Sequence, residues 1–133
     1  MNKVLLDTVG LLALWNVRDQ WHPSAAPVFD AIVASGTDFY TTSFVLLECG
    51  NAATRTPFRT DVVELREQLR ADGKLIEPTD ADCQIAWEAY RRGQPGQAGI
   101  VDQVSFAVMR RLKIVDAFTN DRHFREAGFN PLF

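Results

Sequence analysis

Two kinds of apolar run alternate along this chain. Val4-Leu5-Leu6, Asp38 to Thr41 and Ile114 to Thr119 are short and rich in aliphatic or aromatic residues, as strands covered on both faces are. Lys74 to Glu77 reads as a further short strand, and Phe129 to Phe133 as an edge strand because it contains Pro131. Between them lie longer segments with helical spacing and helical punctuation. Gly10 to Trp15 is the first. Pro23 to Ser35 is the second, with Pro27 in its opening turns and Gly36 as its stop. Thr42 or Ser43 can cap a helix over 44–54, and Asp72-Gly73 ends one over 58–71. Thr79 and Asp82 form a capping-box pattern, with Asp in place of Glu, for a helix reaching Arg92. After the Gly93 to Gly99 loop, apolar residues at 101, 104, 108 and 112 predict a helix over 100–111, and a short helical turn ends at Gly128.

Strand and helix thus alternate, which predicts an α/β fold with a mainly parallel sheet flanked by helices on both faces. The 133 residues suit one domain over 1–133. Ligand sites in such sheets lie at the carboxyl ends of the strands.

Composition adds exclusions. With 47% hydrophobic residues, disorder is ruled out, and no apolar run approaches the ~20 residues of a bilayer span. The opening MNKVLLDTVGLLAL is broken by Asp7 and lacks a small-residue cleavage site, so the expectation is a cytoplasmic protein without a membrane partner. Cys49 and Cys83 show no CxxC spacing and are expected to be buried free thiols. The net charge of −3 does not resemble a strongly basic nucleic-acid binder, although neutralising four of the acids leaves the remainder slightly basic.

Those four acids carry the chemistry. Asp7 in VLLDTVGLL, Glu48 in FVLLECGNAA, Asp102 in GIVDQVSFAV and Asp121 after IVDAFTN sit in or beside apolar stretches. A carboxylate withdrawn from water needs a partner or a cation. Asp7 ends the first strand and Asp121 follows the fourth. Glu48 lies about one turn into the helix after the second strand, hemmed in by Leu46, Leu47 and Cys49. Asp102 opens the helix after the glycine-rich loop. Parallel topology brings all four to one edge. Each acid alone has an ordinary reading as a helix-start or loop residue; together they point to a hard divalent cation, Mg²⁺ or Mn²⁺. Helix N-termini behind Glu48 and Asp102 are expected to help keep both ionised. Asp116, nearer its strand's amino end, is left out of the set.

In this order the segments resemble the PIN domain, and more narrowly the VapC-type toxin ribonucleases. LLDTVGLLAL is similar to the first motif of that family, TTSFVLLECGNAATR to the second, IVDQVSFAVMRRLKI to the third and AFTNDRHFREAGF to the fourth. The resemblance spans nearly the whole chain. It implies a five-stranded parallel sheet, metal-dependent endoribonuclease activity, a cognate antitoxin and a homodimer. One departure is the loop before the third motif. The family often carries Ser and another polar or acidic residue there; this chain has Gln97-Ala98-Gly99-Ile100, which implies a looser lead-in to Asp102.

RNA hydrolysis at such a site needs an activated water and neutralised phosphate oxygens, both supplied by a bound divalent ion. Asp7 and Asp102 are the expected direct ligands, with Glu48 and Asp121 acting through water, a second ion or the attacking water. Thr8 and Thr119 can hydrogen-bond the acids. Asn51 and Arg55 share a helical face with Glu48 and, with Arg59 and Arg122, can meet the substrate backbone. Thr8, Asn51, Arg55, Thr119 and Arg122 are therefore the candidate substrate contacts. His123 is read as structural rather than as a general base. Trp15 and Trp21 are candidates for a partner groove or for the core, and Trp87 is expected to pack on Tyr90. A receiver-type phosphoacceptor domain is the rival fold-level reading, but it wants paired acids where Leu6-Asp7 stands and a lysine beyond Lys113. A PIN fold that binds partners with little or no catalysis is the other.

Overall fold

The computed structural model describes residues 2–133. Five strands form one sheet: β1 (Lys3–Leu6), β2 (Asp38–Thr42), β3 (Leu75–Ile76), β4 (Asp116–Phe118) and β5 (Asn130–Pro131). Their spatial order is β3-β2-β1-β4-β5, and every pairing is parallel. Seven helices connect them: α1 (Thr8–Trp15), α2 (His22–Ala34), α3 (Ser43–Ala53), α4 (Arg59–Ala71), α5 (Asp80–Arg92), α6 (Ile100–Leu112) and α7 (Arg122–Glu126). The elements fall where the apolar pattern puts them. The differences are at the ends, because β3 and β5 keep only two residues each and the fourth strand begins at Asp116.

Side-chain alternation along β1 builds two cores. Val4 and Leu6 face a layer of α1 to α4, with Leu11, Ile32, Val45, Cys49 and Leu69. Leu5 faces α5 to α7, with Phe106, Met109, Ala117 and Phe124. Val4, Leu5 and Leu6 are all fully buried, and only Lys3 of the strand is exposed. Residues with no polar alternation can persist in such a strand only because both faces are covered.

Sequence order reverses between β1 and β4. One half of the chain builds outward through β2 and β3, the other through β5. A crevice opens where the connections diverge, at the carboxyl ends of β1 and β4. α1 starts there and runs tight against β4. The Asp7 N–H donates to the Phe118 carbonyl (3.3 Å), and a Cβ on Gly10 would lie 2.0 Å from that same oxygen. Glycine costs a helix about 1 kcal/mol relative to alanine, yet only glycine permits this approach.

On the far side, α6 is anchored to α5. Thr79 and Asp82 make the expected capping box, and buried Asp82 also accepts from Arg111 Nη2 (2.8 Å) and Nε (3.0 Å). The lead-in to α6 is held rather than loose. Gln103 Nε2 donates to the Gln94 carbonyl (2.6 Å), His123 Nε2 to the Gly96 carbonyl (3.1 Å), and Ala98 is buried. Both cysteines are free, but only Cys49 is buried; Cys83 is half-exposed on α5, against the expectation for it. No helix among the described residues is long and apolar enough to cross a membrane.

Gly10→Ala is expected to push α1 off β4 and to cost about 3 kcal/mol of stability, the scale of an overpacked core. Urea unfolding of the purified variant measures it; a loss below about 1 kcal/mol would show that the helix yields freely.

Candidate active site

Asp7 is the N-cap of α1, a position where a carboxylate ordinarily accepts from the first helical turn. It makes no such capping bond. The side chain instead turns inward, only 1% of the residue remaining exposed, and Oδ2 accepts from Thr119 Oγ1 (2.8 Å). Oδ1 is buried with no partner. Thr119 Oγ1 in turn accepts from the Asp121 N–H (3.1 Å), so one hydroxyl ties the end of β1 to the turn after β4. Asp121 caps α7, Oδ1 accepting from the His123 N–H (2.9 Å) with His123 Nδ1 3.0 Å away.

Asp102 approaches from α6. Ligand atoms of Asp102, Asp121 and His123 all lie within 4.8 Å of one another. Glu48 completes the group from α3, where Oε1 accepts from Thr8 Oγ1 (2.5 Å). The four sequence-predicted acids thus come near enough to act on one another, drawn from the start of α1, from α3, from α6 and from the turn after β4.

Burial and their mutual field raise the pKa of two of them. Burial pushes Asp7 up to about 7; the Thr119 bond opposes this, and the charges of Asp121 and Glu48 reinforce it. Asp102 is pushed up to about 8, first by burial and then by the charges of Asp7, Asp121 and Glu48. A helix N-terminus was expected to keep Asp102 ionised. Here burial and like charge outweigh it, and a hydrogen bond with Asp121 adds to the rise. Buried Cys49 forms part of the wall, its thiol pushed up to about 12 chiefly by burial.

Several sequence readings change in detail. Glu48 is not hemmed in: Leu46 and Cys49 turn to the core, while Leu47, 69% exposed, and Glu48 lie on the outer surface. Glu48 borders a shallow depression of about 310 Å³ with Phe44, Leu47, Asn51 and Val101. Thr119 is fully buried and Thr8 nearly so, so each faces an acid rather than a substrate. Asn51 stays beside Glu48, whereas Arg55 falls past the end of α3 and lines a separate groove with Trp15. Arg122 projects into solvent 3.9 Å from Glu126. Trp21 is exposed, and Asp116 accepts from Asn130 Nδ2 (2.8 Å), outside the cluster.

Sequence reading set His123 aside as structural. Its two ring contacts agree with that, although it stands in the acid cluster. The only signal for its placement was its position two residues after Asp121, where an Asx turn folds the chain back.

An orphaned buried carboxylate oxygen beside three further acids fits a divalent cation. With oxygen donors dominating, a hard ion suits the set better than zinc.

The chain matches the PIN domain family over residues 4–130. No curated protein matches its sequence. Among solved structures it is similar to VapC20 of Mycobacterium tuberculosis, a toxin that cleaves the sarcin-ricin loop. That similarity has 28% identity, covers 95% of each chain and gives a TM-score of 0.77. The fold is shared with FitAB bound to a DNA fragment, at 14% identity over 96% and 92% of the two chains with a TM-score of 0.71. It is shared too with FitAcB of Neisseria gonorrhoeae, at 16% identity over 98% and 96% with a TM-score of 0.67.

Raised acidities set the sign of the pH response. In the metal-free protein, Asp7 and Asp102 hold protons that the unfolded chain releases near pH 4. Their contribution is full below that value and is lost as pH rises through about 7 and 8. In EDTA, Tm is expected to fall between pH 5 and 8.5, and Mg²⁺ to raise it more at pH 8.5 than at pH 5. Thermal unfolding by circular dichroism checks this, with Asp102→Asn flattening the slope.

Proposed function

The chain belongs to the PIN domain family, and we propose that it is a Mg²⁺-dependent endoribonuclease, the toxin of a toxin–antitoxin pair, hydrolysing RNA phosphodiesters. The observation that carries this reading is the buried, unpartnered Oδ1 of Asp7 in a carboxylate on which the charges of Asp121 and Glu48 act and which itself acts on Asp102. The likeness to an RNA-cleaving toxin over nearly the whole chain supports the substrate and the biological role. Mn²⁺ is the alternative ion, and a soluble cytoplasmic setting goes with the role.

When bound, the cation lowers the pKa of a water and neutralises phosphate oxygens. Asp7 and Asp102 would hold it directly. Asp7 is rigid because Thr119 fixes one oxygen and leaves the other free. Asp102 must give up its proton for that role. Asp121 has one oxygen engaged by His123, so its orientation toward Asp102 is set. Glu48, exposed and held at Oε1 by Thr8, is placed to orient a water at the rim. Asn51, one turn further on, and Arg122 at the start of α7 are the proposed backbone contacts. Thr8 and Thr119 are assigned to positioning the acids.

An antitoxin and a second copy of the chain are the proposed protein partners. For the copy, the surface is the outer face of α5. There the Trp87 and Tyr90 rings stack edge-on at 5.6 Å yet remain 57% and 49% exposed. Trp87→Ala is expected to shift a dimer toward monomer by light scattering; an unchanged mass would place the interface elsewhere.

The decisive assay is RNA cleavage. Wild type is expected to cut with Mg²⁺ or Mn²⁺ and not with EDTA, while Asp7→Asn keeps its fold and loses roughly 100-fold or more of the rate. Expression of wild type, but not of Asp7→Asn, is expected to slow growth. Equal cleavage by the two purified proteins would end the metal-nuclease reading.

A further inference from the structure

The seam between α1 and α3 has a second end. At the acid end, Thr8 meets Glu48 across forty residues of sequence. Trp15 and Arg55 have the same separation, and together they line a groove of about 550 Å³ with Arg18, Pro57, Phe58 and Asp61. Both helices follow neighbouring parallel strands, and the groove lies at their far ends, with Trp15 the last residue of α1 and Arg55 just past the end of α3. Along α1, seven residues at about 1.5 Å each set Trp15 about 10 Å from Thr8 and its acid, roughly three stacked nucleotides along a strand. Exposed Asn51 and Ala52 lie on α3 between the two ends.

The groove's chemistry is that of a single-strand site. Trp15 and Phe58 rest partly on the core beneath and also line the groove, a rigid aromatic floor. Arg18 and Arg55 are exposed, and neither forms an ion pair among the described residues. Asp61 is the single acid in the lining. Aromatic surface with unpaired cations suits a stacked base and its phosphate.

We propose that this groove is a subsite for the RNA strand, holding a nucleotide about three positions from the scissile phosphate, with its base on Trp15 and Phe58 and its phosphate on Arg18 and Arg55. The proposal rests on the nuclease reading above and adds where the substrate strand runs. RNA is preferred to a protein segment because two guanidinium groups without an ion pair among the described residues line the groove against a single acid, Asp61.

The test is fluorescence anisotropy of labelled, mixed-sequence oligoribonucleotides of about four and about twelve nucleotides on the intact protein in EDTA, at several salt concentrations. Arg18→Ala is expected to weaken the longer oligonucleotide about fivefold, to reduce the log–log salt slope by about 1, and to narrow the gap between the two lengths. Arg18→Lys should restore most of the binding, and Arg125→Ala, on α7, should not alter it. Wild-type binding of the longer oligonucleotide by Arg18→Ala, with Mg²⁺-dependent cleavage intact, overturns the subsite and leaves the nuclease standing. Absence of cleavage by wild type removes the nuclease reading itself. Unchanged RNA binding, with loss of growth rescue by the product of a neighbouring small gene, would assign the groove to a protein segment and overturn the proposal.

Discussion

Like charge held out of water is the constraint around which this molecule is arranged. Four carboxylates from four separate parts of the chain share one crevice, and two of them are driven into the neutral range by burial and by one another. Such a group is tolerated only where its geometry is enforced from outside. Enforcement here comes from threonine hydroxyls and one close backbone approach. A hydroxyl on Thr119 links Asp7 to the Asp121 amide, Gly10 lets α1 lie directly on the Phe118 carbonyl, and Thr41 Oγ1 donates to the Leu6 carbonyl (2.6 Å) just before Asp7. Two apolar cores on either side of β1 supply the stability that the acids withhold.

Asp82 shows the opposite use of a buried acid. Arg111 holds its carboxyl below the ordinary range despite burial, with the Thr79 cap assisting. Its stabilising effect is present above the unfolded value and is lost in acid, whereas that of Asp7 and Asp102 is lost as pH rises. The pair locks α5 to α6 and so fixes the helix that delivers Asp102. One acid is therefore fully neutralised within the chain in order to position another that is not.

The layer order and nearly every element follow from the apolar pattern, because β1 carries an unbroken apolar run at Val4 to Leu6 and the helices are marked by real caps at Thr42, Thr79 and Asp121. β3 and β5 resist such reading. Each pairs with only one neighbour, so the hydrogen-bonded length depends on partners that composition does not reveal. At the site, the identity of the acids was readable but the reason for one was not. Glu48 joins the cluster from an exposed helix face, through Thr8, rather than by being enclosed among Leu46, Leu47 and Cys49. Thr119 reaching Asp7 across 112 residues has no local signature at all. Parallel topology makes the meeting of strand ends foreseeable, but the partner of each oxygen is a fact of packing.

Two softer donors stand beside the acids, and their condition bears on which ion the crevice suits. Cys49 would ligate as a thiolate, yet burial beside Asp7 and Glu48 holds its sulfur protonated up to about 12. His123 lies within the cluster, but its ring nitrogens face Asp121 Oδ1 at 3.0 Å and the Gly96 carbonyl at 3.1 Å, so neither is free without dismantling the turn that orients Asp121. What is left open is carboxylate oxygen, above all Asp7 Oδ1. Softness therefore selects against zinc and copper even though sulfur and imidazole are at hand. Burial first, and the charges of Asp7 and Glu48 after it, keep the thiol from competing with the carboxylates for a hard cation.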